Sequence, residues 1–165
     1  ALHPHQHAGL AFLLDRRARG FGCLLGDEMG VGKTLQAVAV MAQLVSSGQE
    51  RGPFLVLAPL SVVHHWAAEI KGKAAGLVVL RYVGDKEQRH TLRTKIEEHV
   101  LGLPAAQRAD PPLPFHVLLT TYETALQDTA FLSRFRWRLV VVDEAHRLKN
   151  PDARLHAALR SSLHA

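Results

Sequence analysis

Five short runs of β-branched and other apolar residues punctuate the chain: FGCLLG at 21–26, FLVLAP at 54–59, LVVLRY at 77–82, FHVLLTTY at 115–122 and RLVVVDE at 138–144. They are continuous rather than alternating, which suits strands covered on both faces, as in a parallel sheet between two layers of helices. Between them the apolar positions change to helical spacing. Leu35, Val38, Met41, Ala42 and Val45 form one stripe in a helix predicted over 33–45 that stops at SSG, and 61–71 and 85–101 read as further helices. The stretch LPAAQRADPPLP, 103–114, carries half of the chain's eight prolines and fits neither period, so it is predicted to be a surface loop. Strands alternating with helices imply an α/β fold with a mostly parallel sheet and helices on both faces.

Composition narrows this picture only a little. A chain of 165 residues, 47% hydrophobic and 21% charged, has room for one domain with a sizeable core. No apolar run approaches the roughly 18 residues of a membrane span, so no membrane partner is expected. The formal charge of +5 is compatible with an acidic partner such as nucleic acid without requiring one. Cys23 is the sole cysteine, which precludes an intramolecular disulfide, and the N-terminus lacks the order of a signal peptide; both fit a reducing, intracellular compartment. Cys23 itself reads as a small buried strand residue. The chain starts without methionine and stops inside the helix-like PDARLHAALRSSLHA, so the expectation is a fragment of a longer protein.

The chemistry concentrates in CLLGDEMGVGKTLQ, 23–36. A buried strand, Phe21 to Leu25, runs into a loop containing Gly30 and Gly32, and Lys33 and Thr34 then open a helix. Glycines let peptide N–H groups turn toward phosphate oxygens, and a helix N-terminus adds partial positive charge. In such a loop Lys33 reaches the β and γ phosphates of ATP and the Thr34 hydroxyl coordinates Mg²⁺. The strict pattern GxxxxGK[ST] fails at Asp27, where a glycine is usual, but that glycine is a turn position and not a ligand. The alternative is a glycine turn before an ordinary core helix. A second element, RLVVVDEAHRLKN, ends a hydrophobic strand in Asp143 and Glu144. Paired carboxylates there suit ATP hydrolysis, Asp143 holding Mg²⁺ and Glu144 activating the attacking water, although Asp-Glu also suits a helix N-terminus.

LGDEMGVGKTLQ, LVLAPLSVVHHW, VLLTTYE and VVVDEAHRLKN, in this order and spacing, resemble the first ATPase lobe of Swi/Snf-type chromatin remodellers of helicase superfamily two. The resemblance covers nearly the whole chain, 1–165. Within it, GPFLVLAPLSVV, YVGDKEQR and FHVLLTTYE are most similar to the chromodomain-helicase-like branch that carries a macro domain far downstream. The resemblance implies a RecA-like P-loop NTPase lobe, ATP and Mg²⁺ as cofactors, duplex DNA, nucleosomes and a second ATPase lobe as partners, and the nucleus as location. It makes Asp27, Glu28, Met29, Gly30, Val31 and Gly32 the family's own phosphate loop and aligns Gln6 with an adenine-reading glutamine. It gives His146 a role in coupling the nucleotide state to lobe closure. Ser61, Thr120 and Thr121 fall in segments that lie along a nucleic-acid backbone.

The resemblance also implies what lies elsewhere. Arginine fingers belong to a second lobe, and a strand ending in a Thr-Gly-Thr-like motif inserts between the phosphate-loop strand and the strand bearing Asp143. Without them, the 165 residues alone are expected to be aggregation-prone and weakly active or inactive. A non-catalytic nucleotide-binding or interaction module is the alternative, and a DEAD/DEAH-type RNA helicase fits DEMGVGKT and APLSVVHHW less well. Trp66 reads as a core anchor of its helix. Thr121 also suits a helix cap, and Arg147 and Lys149 suit a solvated loop as well as a DNA contact. DRRARG, 15–20, reads as a cationic helix end before a C-terminal glycine. His3, His5 and His7 lack the Cys or carboxylate company of a metal site.

Overall fold

A computed structural model of the chain describes residues 2–26, 30–145 and 163. Its core is a parallel sheet built from β1 (Phe54–Leu57), β2 (Val79–Arg81), β3 (Val117–Thr120) and β4 (Leu139–Val142), in the order β2-β3-β1-β4. β1 lies between β3 and β4, with Phe54 opposite both Val117 and Leu139. Its four residues are fully buried, as are those of β3.

The pleat sorts these apolar runs between two cores. Phe54, Val56, Val117 and Leu119 face a layer made by α1 (Pro4–Ala18), α2 (Lys33–Ser46) and α3 (Leu60–Lys73), where Val38, Met41, Leu44, Val63, Trp66 and Ile70 pack. Leu55, Leu57 and Leu118 face the opposite layer, formed by α4 (Lys86–Gly102), α5 (Tyr122–Gln127) and α6 (Thr129–Leu132) with Phe131, Leu132 and Trp137. Each buried Val, Leu or Phe side chain contributes about 1.5–3 kcal/mol, which explains why these strands carry no polar face. Among the described residues, no helix is long and apolar enough to cross a membrane.

Local sequence sets the helix boundaries. Pro4 occupies the first turn of α1, and Gly20, at φ 75, follows its cationic end. Asp85 caps α4: its Oδ1 accepts from Gln88 N at 2.8 Å, and Gln88 Oε1 accepts from Asp85 N at 3.1 Å. The proline-rich stretch 103–114 contains only a short 3₁₀ turn, Ala105–Gln107.

One strand assignment is corrected. Residues 21–26 form no strand, and Phe21 and Leu24 are 60% and 80% exposed. An apolar run becomes a strand only where a neighbour takes up its peptide groups, and none of the four described strands pairs with it. Cys23 is therefore exposed rather than buried. β4 bears the same signature: its residues are half-buried, because among the described residues only β1 pairs with it. Of the helix expected over 151–165, only Leu163 lies among the described residues, where it is buried in the second core.

Two charged clusters fasten the layers. At the N-terminal edge of the sheet Arg17 donates to Glu50 Oε1 at 2.6 Å, and Arg138, just before β4, pairs with Glu50 and Asp110. The end of α1 is thereby tied to the start of β4. In the other layer the Asp128 carboxylate is buried and accepts from Tyr82 OH at 2.9 Å, Arg89 Nε at 2.7 Å and Arg93 Nη2 at 2.6 Å. Arg89 also donates to Gly84 O at 2.6 Å, so the turn into α4 belongs to the same network.

This network predicts an alkaline weakness. Burial pushes the Tyr82 hydroxyl from 10.0 up to about 12, with the Asp128 carboxylate adding to the shift and Arg93 opposing it. The folded protein holds this proton more tightly than the unfolded chain does. Its stabilisation is therefore complete below pH 10 and is lost as the pH rises toward about 12. A gap of that size corresponds to about 2–3 kcal/mol. Urea midpoints of the protein carrying this domain should fall more steeply between pH 10 and 12 for wild type than for Tyr82→Phe; parallel profiles would refute the assignment.

Candidate nucleotide-binding site

The C-terminal edge of the parallel sheet gathers the chemistry-bearing residues. α2 leads through 47–53 directly into the start of β1, so it runs antiparallel to the strands and its first residue, Lys33, lies at their C-terminal edge. Asp143 and Glu144 follow β4 at that edge, Ser61 follows β1, and Thr120 and Thr121 end β3. Open parallel sheets bind ligands outside these strand ends.

The candidate phosphate loop has backbone geometry that glycine permits. Gly30 and Gly32 have φ values of 88 and 82, and Gly32 is the left-handed residue from which α2 starts. A Cβ on Gly32 would lie 2.4 Å from Gln6 Nε2, so a larger residue there is both strained and crowded. The hydrogen-bond ladder of α2 begins with Gln36 N donating to Gly32 O at 3.0 Å. Its first turn contains no acidic residue, and among the described residues no side chain caps it. Such an N-terminus presents N–H groups and partial positive charge to an anion. Lys33 and Thr34, both half-buried, are its first two residues. Asp27, Glu28 and Met29 lie outside the described residues.

Gln6 is buried against this loop. Its Nε2 donates to Val31 O at 3.2 Å, and its Oε1 accepts from His3 N at 2.9 Å. α1 therefore braces the glycine loop through Gln6 while Arg17, more than two turns away, holds the opposite sheet edge.

Four hydrogen bonds among the described residues hold Asp143. Its N–H continues the β-ladder to Leu57 O at 2.9 Å, and Tyr122 OH donates to its carbonyl oxygen. Its carboxylate accepts from Glu144 N through Oδ1 at 2.8 Å and from the Trp66 indole Nε1 through Oδ2 at 2.8 Å. Glu144 is exposed, and among the described non-glycine residues it alone has a positive φ, 51, which turns the chain out of the strand direction. A helix N-terminus built on glycines, a lysine and threonine behind it, and an oriented carboxylate at the same sheet edge are a donor set fitted to a nucleotide phosphate and Mg²⁺.

The SNF2-related domain family matches residues 5–165. The chain belongs to this family. It is 42% identical over 159 residues to Chromodomain-helicase-DNA-binding protein 1-like of Danio rerio, covering 96% of this chain and 14% of that protein. It is 43% identical over 158 residues to the Mus musculus protein of the same name, covering 96% and 16%. Chromodomain-helicase-DNA-binding protein 1 of Homo sapiens is 39% identical over 158 residues, with 96% and 9% covered. The chain thus spans less than a fifth of the length of these relatives. Among solved structures, the Sulfolobus solfataricus SWI2/SNF2 ATPase core in complex with dsDNA superposes with a TM-score of 0.75 at 28% identity, covering 97% of this chain and 29% of that one. The fold is that of the RecA-like SWI2/SNF2 ATPase core, as the motifs imply, and the chain is an SNF2-like ATPase domain related to those of chromodomain-helicase remodellers.

The segments resembling nucleic-acid contacts differ in accessibility. Ser61 is exposed in the first turn of α3, which no side chain caps among the described residues. Thr120 and Thr121 are buried: Thr120 Oγ1 donates to Tyr82 O at 2.6 Å, and Thr121 Oγ1 accepts from Thr124 N at 3.2 Å as the cap of α5. His146, Arg147 and Lys149 lie outside the described residues. Trp66 is the core anchor expected, only 2% exposed, but its bond to Asp143 carried no sequence signal because 77 residues separate the two. Tyr122 likewise was legible only as part of VLLTTYE.

Proposed function

We propose that this chain is the ATP- and Mg²⁺-binding part of the first lobe of a DNA-stimulated ATPase that translocates on duplex DNA and remodels nucleosomes in the nucleus. The observation that carries the proposal is the convergence of the glycine-built start of α2 and the oriented Asp143 carboxylate at one sheet edge. Bound ATP supplies the phosphoryl group, and its Mg²⁺ neutralises charge that develops during transfer. In this reading the N–H groups at the start of α2, together with Lys33, hold the phosphates, while Thr34 and Asp143 hold the metal. Glu144 takes a proton from the attacking water, and Gln6 contacts both the loop and the base. His146 couples the nucleotide state to lobe closure. A second lobe supplies cations to the far side of the transferred phosphoryl group and closes over it, so residues 1–165 form an incomplete engine alone.

The exposed Ser61 in the first turn of α3 supports a phosphate-backbone contact with duplex DNA, with the buried Thr120 and Thr121 shaping the neighbouring edge from within. The similarity of YVGDKEQR and FHVLLTTYE to the branch with a downstream macro domain supports that branch as the parent. The deciding experiment is ATP turnover by the two-lobe protein with and without duplex DNA and nucleosomes. Turnover should rise at least tenfold on their addition. Nucleotide binding with no turnover in any condition would instead establish the non-catalytic module.

A further inference from the structure

We infer that Trp66 is a positioning residue for the Asp143 carboxylate: its indole N–H fixes the direction in which that carboxylate meets the metal. The inference rests on the nucleotide reading above. Trp66 lies in the second turn of α3, buried among Val38, Met41, Val63 and Ile70, an environment that a purely hydrocarbon ring would satisfy. What the indole adds is one donor, and it reaches Asp143 Oδ2 at 2.8 Å. The second carboxylate oxygen accepts from Glu144 N at 2.8 Å, and the Asp143 backbone is pinned by Leu57 O and Tyr122 OH. With one donor on each oxygen, the carboxylate plane can rotate only by breaking a hydrogen bond. The indole donor comes from a helix packed in the core, whereas the Glu144 donor comes from a chain turning into solvent. Trp66 is accordingly the rigid half of the pair. Partners of metal-holding groups of this kind typically change metal affinity 10- to 100-fold when removed.

The test replaces Trp66 in the two-lobe protein with benzothienylalanine, which keeps the fused-ring shape and lacks the N–H, and separately makes Trp66→Phe. A fluorescent ADP analogue is titrated at rising free Mg²⁺, a readout that needs no turnover, alongside urea unfolding. The Mg²⁺ concentration for half-maximal tightening of nucleotide binding should rise about tenfold in both variants, while Mg²⁺-free nucleotide affinity stays within twofold of wild type. The benzothienylalanine protein should keep the wild-type urea midpoint, which separates orientation from packing. An unshifted Mg²⁺ requirement in that variant, with wild type showing Mg²⁺-dependent binding, overturns the role of Trp66 alone. Wild type that fails to bind the analogue at any Mg²⁺ concentration, or that binds it as Lys33→Ala does, overturns the nucleotide reading and this inference with it.

Discussion

Glu144→Gln should lower ATP turnover of the two-lobe protein by about 10²–10³-fold and leave its affinity for ATP within a few fold of wild type. Glutamine matches the shape of glutamate and stays neutral, so it can hold a water molecule without accepting its proton. The position makes that loss specific. Glu144 is exposed one residue past β4, at the sheet edge that carries the start of α2. Its backbone N–H donates to Asp143 Oδ1, an interaction the substitution leaves in place. The phosphate contact proposed for Lys33 and the Trp66–Asp143 hydrogen bond are likewise untouched, and hence binding and turnover should separate. Turnover within threefold of wild type, measured at saturating ATP and DNA, would remove Glu144 from the mechanism.

Asp128→Ala should destabilise the domain by about 3–5 kcal/mol, read as a lowered urea midpoint in the same protein. The carboxylate is 6% exposed and stands between Arg89 Nε and Arg93 Nη2, with Tyr82 OH as its third donor. Truncation strands two guanidinium groups in a site built for a counter-charge. Arg89 cannot swing into water cheaply, since it also donates to Gly84 O and to Gln127 Oε1 at 2.9 Å. Tyr82→Phe removes one neutral partner and should cost about 1 kcal/mol. A loss below 1 kcal/mol in Asp128→Ala would show the network to be weakly coupled to folding.

Much of this architecture is readable in the chain because its signals are local. Val38, Met41 and Val45 announce α2 by spacing, and FLVL and VLLT announce β1 and β3 by being apolar throughout. The candidate phosphate loop is contiguous, and the strand RLVVV delivers Asp143 and Glu144 to its end. The reading fails where the deciding partner is distant. FGCLLG has the composition of a buried strand, but pairing is a property of two segments, and the described sheet offers it no partner. The Trp66–Asp143 bond and the Tyr82–Arg89–Arg93–Asp128 network join residues far apart in sequence, and neither has a repeating period to betray it. Asp128 in particular looks like any polar residue between two short helices.

The inward-facing hydroxyls at the end of β3 bear on how the proposed DNA contact would treat base sequence. Thr120 Oγ1 donates a hydrogen bond to Tyr82 O, and the Thr121 hydroxyl accepts from Thr124 N as the cap of α5. Both residues are buried, so neither hydroxyl is available to a strand laid against this edge. Of Ser61, Thr120 and Thr121 only Ser61 is exposed, and under the proposed DNA contact its hydroxyl would meet sugar and phosphate, which are alike at every base pair.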